Sequence, residues 1–202
     1  MPATSERLVW YVSYGSNMSL ARLRCYLTGG TAQDTADGGG RTYPGCRDPR
    51  MPERSVGIEL PGTVYFATWS PVWHGGRAFY DPLAPGRAWA RAHLLTLGQF
   101  SDIAAQEMYA APGHDLDLTR VLAEGRDRLG PGRYETLLHL GDLETHPLLT
   151  FTAPWHAPDA RSVPPSPAYL AHLAAGLREA HTWPPEAITT YLAGLTSRST
   201  AR

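Results

Sequence analysis

The chain has 202 residues, 43% of them hydrophobic and 18% charged, which is enough to bury one core. Its formal net charge is −1, which argues against a nucleic-acid or polyphosphate partner because such binding needs a basic patch. All 18 basic residues are arginines, and the 20 glycines and 18 prolines exceed the usual share but fall short of that in a disordered chain. We therefore expect a folded domain with long loops.

Cysteine and histidine usage indicates a protein of the reducing cytoplasm without a metal centre. Cys25 and Cys46 are too few for a disulfide framework. The eight histidines form no H-x-x-x-H or H-E-x-x-H pair, and neither cysteine has a metal-ligand partner at a useful spacing. No apolar run approaches the length of a membrane span, and the N-terminus lacks the pattern of a secretion signal, so we expect no membrane partner.

The first predicted strand covers residues 8–14 and leads into a tight turn. Tyr14, Gly15, Ser16 and Asn17 form this turn, and the helix after it carries apolar residues at three- and four-residue spacings up to the glycine pair at 29–30. A strand-to-helix turn presents several backbone N–H groups, which suit a carboxylate or a developing oxyanion. An ordinary capped turn is the alternative, and from the turn alone it is favoured.

Residues 28–54 are predicted to form a long loop, because the segment lacks periodicity and contains three consecutive glycines. Its arginines could hold a substrate carboxylate, but a solvated loop is the more common situation: Arg41, Arg47, Arg50 and Arg54. Pro61–Gly62 predicts a hairpin between the next two strands. Further strands are predicted at 56–60, 63–68, 77–80, 87–96, 133–140 and 146–152. Their close spacing favours an antiparallel or mixed sheet curled into a barrel.

Glu107 is the strongest single candidate for chemistry. Thr96 and Gln99 form a capping box that begins a helix, whose apolar stripe ends in Glu107. The apolar residues of that stripe are Phe100, Ile103 and Ala104. The polar residues are expected on the other faces: Ser101, Asp102 and Gln106. Burial of a carboxylate raises its pKa toward the range useful for proton transfer, but a structural glutamate bonded to an amide or an arginine is an equally good interpretation.

The last third of the chain predicts helices. A short helix is expected at 116–124, and a proline-rich segment leads to a helix that begins at Ser166 or Pro167. A final helix begins near residues 184–185. We expect one domain over residues 1–196, with 197–202 as a frayed tail.

Four short segments stand out in chain order: Tyr14-Gly15-Ser16-Asn17-Met18, His74-Gly75-Gly76-Arg77-Ala78, Gln106-Glu107 and Pro164-Pro165-Ser166-Pro167-Ala168-Tyr169. The first is similar to the Y-G-S-N-[LM] loop of the γ-glutamylcyclotransferase-like superfamily, and the second to the H-G-G segment of its animal enzymes. The third resembles the Q-E that contains their catalytic glutamate, and the fourth their P-P-S-P-x-Y stretch. The ordered set spans nearly the whole chain and resembles that superfamily.

The resemblance implies an α+β fold, a small mixed β-barrel packed by helices, with the active site at the barrel mouth. It also implies a cofactor-independent γ-glutamyl cyclotransferase, in which the α-amine of a γ-glutamyl group attacks its own γ-amide carbonyl and releases 5-oxoproline and an amine or amino acid. Glu107 would then transfer the proton, and the amides of residues 14–17 would hold the α-carboxylate or the oxyanion. Tyr109 and Tyr169 would line the pocket or bond the small-molecule γ-glutamyl substrate.

The chain departs from the animal enzymes beside Glu107. Ala104–Ala105 replace an acidic pair, and Met108 replaces a glycine. These differences bear on the leaving group more than on the reaction type. Two alternatives stay open: a non-catalytic binding or assembly protein that uses the same pocket, and an amide hydrolase in which Glu107 activates water. The sequence names neither the leaving amine nor the oligomeric state, nor whether residues 28–54 close over the substrate.

Overall fold

A computed structural model describes residues 7–31 and 41–200 of the chain, with side chains described up to residue 197. Its strands are β1 Leu8–Ser13, β2 Gly30–Thr31, β3 Thr42–Tyr43, β4 Ser55–Pro61, β5 Thr63–Ser70, β6 Gly75–Asp81, β7 Arg87–Thr96, β8 Arg126–Arg128, β9 Thr136–Leu143 and β10 His146–Thr152. Its α-helices are α1 Leu20–Thr28, α2 Leu97–Glu107, α3 Thr119–Glu124, α4 Pro167–His181 and α5 Pro185–Thr200. Two short 3₁₀ turns lie at Ser16–Met18 and Ala157–Asp159.

Six strands form one mixed sheet in the order β4-β7-β1-β10-β9-β8. Strand β1 is parallel to β10, with Trp10 opposite Leu148, and antiparallel to β7, with Trp10 opposite Leu94. Strands β5 and β6 form an antiparallel ribbon of their own. Thr152 on β10 joins this ribbon to the sheet, because its hydroxyl accepts from the Tyr80 N–H at 3.0 Å and donates to the Tyr80 carbonyl at 2.8 Å. The predicted α+β class with a mixed sheet is confirmed.

The central strand β1 separates two apolar clusters. Side chains alternate between the faces of a strand, so Trp10 and Val12 enter one cluster while Val9 and Tyr11 enter the other. Residues of α4 and α5 belong to the first cluster, and residues of α1, α2 and α3 belong to the second. The fold thus buries both faces of β1, and the turn that follows β1 lies where the two clusters meet.

The hairpin predicted at Pro61–Gly62 does not form. Strand β4 pairs with β7, so that Leu60 lies opposite Ala88, and β5 pairs with β6 instead. Gly62 adopts φ 99°, a conformation that favours glycine, and its N–H donates to the Gly86 carbonyl at 3.1 Å. The chain therefore leaves the six-stranded sheet at Gly62 and enters the separate ribbon.

The polar side of α2 is buried, contrary to the expectation that only its apolar stripe would be. Ser101, Asp102 and Gln106 are each at most 1% exposed. The Asp102 carboxylate accepts hydrogen bonds from the Arg47 backbone N–H at 2.8 Å, from Arg47 Nε at 3.0 Å and from the Gly113 N–H at 3.2 Å. Two loops therefore cover the face of the helix that a helical projection would leave in solvent.

The predicted loop at 28–54 contains ordered structure in its described parts. Strands β2 and β3 pair at its base, and the Cys46 N–H donates to the Leu27 carbonyl at 2.9 Å. Three of its four arginines pair with carboxylates: Arg47–Asp102, Arg50–Asp48 and Arg54–Glu144. Residues 32–40 of the segment that was considered as a lid lie outside the described residues.

The C-terminal helix extends further than predicted. Helix α5 continues to Thr200, so the backbone of residues 197–200 is helical rather than frayed, and residues 201–202 lie outside the described residues. Across the described chain, no helix has both the length and the apolar character needed to cross a bilayer.

Candidate active site

Glu107 ends α2 and lines a cavity beyond the end of β1. The predicted capping box is present: the Thr96 hydroxyl accepts from the Gln99 N–H, and Gln99 Oε1 accepts from the Thr96 N–H, each at 3.1 Å. The half-buried Glu107 carboxylate accepts a hydrogen bond at Oε1 from the Tyr26 hydroxyl at 2.5 Å. No second donor to this carboxylate occurs among the described residues, so Oε2 is available to a ligand.

The turn at residues 14–17 lines the same cavity as Glu107 and Tyr169. A Cβ atom on Gly15 would lie 3.2 Å from the Tyr169 hydroxyl oxygen, so glycine permits the close approach of this turn to Tyr169. Within the described chain, the N–H groups of residues 15–17 donate to no protein acceptor. The cavity therefore combines one carboxylate with a short run of backbone donors.

A second cavity adjoins the first and shares part of its wall. The shared residues are Ser16, Glu107, Tyr134 and Tyr169. Counted out to their mouths, the two cavities enclose about 340 Å³ and about 440 Å³. Tyr109 lines only the second cavity, where its side chain is 56% exposed. The structure thus brings together all seven predicted site residues, with Tyr109 at the mouth.

Two of the predicted residues have structural side chains. The Tyr14 hydroxyl donates to the Phe151 carbonyl at 2.8 Å, and Asn17 Nδ2 donates to the Tyr11 hydroxyl at 3.3 Å. Both side chains are buried. These two bonds hold the turn against the core, while Asn17 Oδ1 is buried without a hydrogen-bond partner among the described residues.

Sequence reasoning missed the ring of tyrosines around Glu107. Burial raises the pKa of each of these hydroxyls, and the Glu107 charge raises it further; the five residues are Tyr11, Tyr26, Tyr43, Tyr134 and Tyr169. They stay protonated near neutral pH and act as neutral donors. Tyr26 lies at an apolar position of α1, and nothing local in the sequence indicates that its hydroxyl meets a residue 81 positions later.

Gln106 joins the two helices that carry this hydrogen bond. Its Nε2 donates to the Tyr26 carbonyl at 3.1 Å and to the Asp102 carbonyl at 3.2 Å, and the side chain is fully buried. Because it links the end of α2 to the backbone of Tyr26, Gln106 acts as a positioning residue for the contact between Tyr26 and Glu107.

His93 holds the turn at residues 14–17 in place through a hydrogen bond to its backbone. Its Nε2 lies 3.0 Å from the Asn17 carbonyl oxygen and its Nδ1 lies 2.8 Å from the Ser55 hydroxyl. A carbonyl only accepts, so Nε2 carries the proton and Nδ1 accepts from Ser55. Burial, with a smaller contribution from the Arg91 charge, lowers the pKa of His93 to about 3, so the ring is neutral.

This burial predicts a pH dependence of stability. Between the pKa of about 3 in the folded chain and the ordinary value of about 6.5 in the unfolded chain, only the unfolded state binds the proton. The stability that this neutral ring contributes is therefore complete above about pH 6.5 and is lost as the pH falls. The quantity compared is the decrease in the free energy of unfolding from about pH 7 to about pH 5. We expect this decrease to be about 2 kcal/mol larger for the wild type than for His93→Gln. Urea denaturation at both pH values measures this, and an unchanged gap between the two proteins would contradict it.

The two cysteines pack against the core and line neither cavity. Cys25 and Cys46 are free thiols, and Cys46 Sγ lies 3.3 Å from the Tyr26 carbonyl. Burial, together with the charge of Asp102, raises the pKa of Cys46 to about 12. Over the part of the chain that the structure describes, no three histidine, cysteine or acidic side chains are grouped to hold a metal ion.

Comparison with known proteins shows the fold. No protein-family model matches the chain. An alignment of 103 positions with histone deacetylase 5 of Arabidopsis thaliana shows 37% identity, and it covers 49% of this chain and only 15% of that protein. Two solved structures each align with 93% of this chain and 88% of their own: an uncharacterized protein from Homo sapiens, with a TM-score of 0.54 and 16% identity, and a gamma-glutamyl cyclotransferase, with a TM-score of 0.53 and 15% identity.

The chain has the γ-glutamylcyclotransferase-like fold. In this fold, two of the four motif segments contact each other and together position Tyr169. The Gly76 N–H donates to the Pro164 carbonyl at 2.8 Å, and a Cβ atom on Gly75 would lie 2.5 Å from the Ser166 nitrogen. The Ser166 hydroxyl then accepts from the Tyr169 N–H at 3.2 Å and caps α4. These glycines and prolines thus bring Tyr169 to the cavity of the γ-glutamylcyclotransferase-like fold.

His74 behaves as a turn residue. It is exposed, adopts φ 51°, and its ring stacks on Trp69 with centroids 6.4 Å apart. It is not among the residues that line either cavity.

Proposed function

We propose that this protein is a cofactor-independent γ-glutamyl cyclotransferase that acts on a small γ-glutamyl compound. The observation that carries the proposal is the shared cavity: the Glu107 carboxylate, held at one oxygen by Tyr26, lines the same cavity as the turn that offers the backbone donors of residues 15–17. The fold shared with a structure named gamma-glutamyl cyclotransferase supports the proposal, although at 15% identity the likeness concerns the fold alone.

In the proposed reaction, Glu107 transfers the proton. It accepts a proton from the α-ammonium of the substrate, and the freed amine nitrogen attacks the γ-amide carbon. The C–N bond to the leaving amine breaks as Glu107 returns this proton to that nitrogen. The ring nitrogen then gives up its second proton, through Glu107, to the departing amine, which yields 5-oxoproline and the amine in its ammonium form. Because the attack is intramolecular, positioning supplies much of the acceleration. The amides of residues 15–17 would stabilise the oxyanion or hold the α-carboxylate.

A screen of γ-glutamyl compounds tests the proposal. The purified protein is incubated with γ-glutamyl dipeptides, γ-glutamyl tripeptides and γ-glutamylalkylamines, and the products are identified by mass spectrometry. We expect at least one compound to give 5-oxoproline and the free amine in equal amounts. Release of free glutamate would indicate an amide hydrolase, and binding without turnover would indicate a binding protein. Either outcome would contradict the proposal.

Tyr26→Phe is expected to lower kcat/KM about tenfold while the protein stays folded. The substitution removes a hydrogen bond to a charged group and frees the Glu107 carboxylate to leave its position, and such bonds contribute about 1.5–3 kcal/mol. Steady-state kinetics with the best compound of the screen measures the loss. Tyr65→Phe is the matched control, because the Tyr65 hydroxyl donates to the Trp155 carbonyl at 3.3 Å, away from both cavities. Equal losses in the two variants would count against a role for Tyr26.

A further inference from the structure

The second cavity is strongly cationic. Four arginines line it, and Glu107 is its one acidic lining residue in the described chain; the arginines are Arg22, Arg41, Arg77 and Arg133. They come from different segments, since Arg22 lies on α1 and Arg77 on β6, while Arg41 and Arg133 lie in loops. Four positive charges against one negative charge make this cavity suited to an anion.

The described part of the protein neutralises these guanidinium groups only in part, through Glu107. Arg22 Nη2 donates to the Tyr43 hydroxyl, Arg41 Nη2 donates to the Gln106 carbonyl, and Arg77 Nη1 donates to the Thr68 hydroxyl, all of which are uncharged acceptors. Among residues 7–31 and 41–197, none of the four arginines forms an ion pair with a carboxylate. Glu107 offsets at most one of the four positive charges. Arg22 is buried, and a buried cation without enough counter-charge is costly, which indicates that a ligand supplies further negative charge.

Two of the guanidinium groups also have unused donors inside the protein. Arg22 is only 4% exposed, and its Nε is buried without a hydrogen-bond partner. The Nε of Arg133 is buried and unpartnered in the same way. Because buried donors are nearly always satisfied, these two groups are further evidence for a missing acceptor.

Aromatic rings hold the guanidinium groups in place. The Arg22 guanidinium lies 5.0 Å from the ring centroids of both Tyr43 and Trp73. Those of Arg41 and Arg133 lie 4.3 Å and 4.6 Å from the ring centroid of Tyr109. The rings let like charges stay close together without a carboxylate. Tyr109 is thus the support that positions two arginines at the mouth of the cavity.

We propose that the second cavity binds the leaving group of the substrate and that this leaving amine carries at least two negative charges. The inference rests on the proposed function and on the one of its two roles for the amides of residues 15–17 in which they hold the α-carboxylate of the γ-glutamyl group. The guanidinium groups therefore face the other side of the scissile amide, and their planar donors match carboxylate or phosphate oxygens. An amine with two carboxylates and an amine with a phosphate share this chemistry.

A matched panel of substrates tests the charge requirement. γ-Glutamyl-aspartate and γ-glutamyl-asparagine differ by one charge at nearly constant shape, and γ-glutamyl-O-phosphoserine is compared with γ-glutamyl-serine in the same way. We expect the more acidic member of each pair to have a kcat/KM at least about tenfold higher, and γ-glutamylbutylamine to be the poorest substrate. The pair with the larger ratio of kcat/KM values shows whether the site prefers a leaving amine with two carboxylates or one with a phosphate. Ratios near one in both pairs would overturn the proposal.

Binding measurements test the anion site independently of the proposed catalytic function. Calorimetric titration of Glu107→Gln with the same panel is expected to show the same order of affinities. If no compound yields 5-oxoproline but the acidic members still bind more tightly, the proposed function fails and the anion site stands. Equal affinities within both pairs would overturn the anion site whatever the turnover.

Arginine variants locate the effect. Arg41→Gln and Arg133→Gln are chosen because both side chains are half-buried rather than fully buried, so folding is expected to survive. Each is expected to raise the KM for γ-glutamyl-aspartate at least about tenfold, with a smaller change for γ-glutamyl-asparagine and little change in kcat. Arg120→Gln is the matched control, since this residue on α3 pairs with Glu124 and its side chain is 64% exposed. Equal effects on the two substrates would overturn the assignment.

Discussion

Glu107→Gln is expected to lower the rate of 5-oxoproline formation about a thousandfold, because a positioned acid–base group contributes about 10²–10⁴-fold and its amide replacement cannot accept the proton. Glutamine has nearly the same shape, and its side-chain oxygen can still accept the hydrogen bond that Tyr26 donates to Oε1. The cavity should therefore stay intact and bind the substrate. Initial rates of 5-oxoproline release measure the loss, and circular dichroism together with thermal unfolding checks the fold.

Glu124→Gln is the control for the loss of a carboxylate as such. Glu124 lies on α3, its side chain is 59% exposed, and it pairs with Arg120 at 3.2 Å. Exposed ion pairs contribute little to stability, so this variant is expected to keep the wild-type rate. Full activity in Glu107→Gln would remove the catalytic role of Glu107.

Gly76→Ala is expected to have the second-largest effect, on stability and activity together. A Cβ atom at this position would overlap the carbonyl oxygen of Val163 and lie 2.9 Å from its carbonyl carbon, so the backbone must move. Overpacking of this kind costs about 2–3 kcal/mol. The displaced segment leads to Ser166 and Tyr169, and a small misplacement of a substrate-contacting group lowers the rate about a hundredfold. Urea denaturation and kcat/KM measure the two effects.

Gly194→Ala is the matched control for the same chemical change. Gly194 lies on α5, and an added Cβ atom has no described neighbour within 4 Å. Alanine stabilises a helix interior by up to about 1 kcal/mol relative to glycine, so this variant should be at least as stable as the wild type. If Gly76→Ala matched it in both measurements, the positioning role of the contact between β6 and the segment before α4 would be wrong.

Local signals in the sequence predicted those parts of the fold that depend on neighbouring residues. The capping box of Thr96 and Gln99 links residues three positions apart, and Ser166 caps α4 through the N–H of Tyr169. Such bonds form within one turn of helix, so their residue types and spacing are sufficient to place the helix starts. The run of β-branched and aromatic residues at the first strand likewise predicted a buried strand, and five of the six residues of β1 are buried.

Contacts between distant segments could not be predicted in this way. Asp102 is buried because Arg47, 55 residues earlier in the chain, folds over it. A helical projection of α2 shows only the residues of that helix and therefore cannot reveal this partner. The turn at Gly62 has the composition of a hairpin, yet the pairing of β4 with β7 decides where the chain goes. Strand pairing depends on the packing of the whole sheet, which local turn chemistry does not report.

In the candidate site, too, local features could be predicted from the sequence and contacts between distant segments could not. The residues in short motifs, such as Gly15 and Glu107, were predicted, because each lies at the end of a recognisable strand or helix. The cationic cavity was not, since Arg22 and Arg133 come from segments 111 positions apart and only the fold joins them. Arg41 was interpreted as a residue of a solvated loop, and its proximity to Tyr109 becomes visible only in three dimensions.

The most direct test of the central claim is the fate of the γ-carbonyl carbon during turnover. The best substrate of the screen is turned over in water labelled with the heavy oxygen isotope, and both products are analysed by mass spectrometry. Intramolecular attack beside Glu107 predicts 5-oxoproline without the label, formed at the same rate as the free amine. Free glutamate with the label in its γ-carboxylate would show that water is the nucleophile, and it would contradict the account.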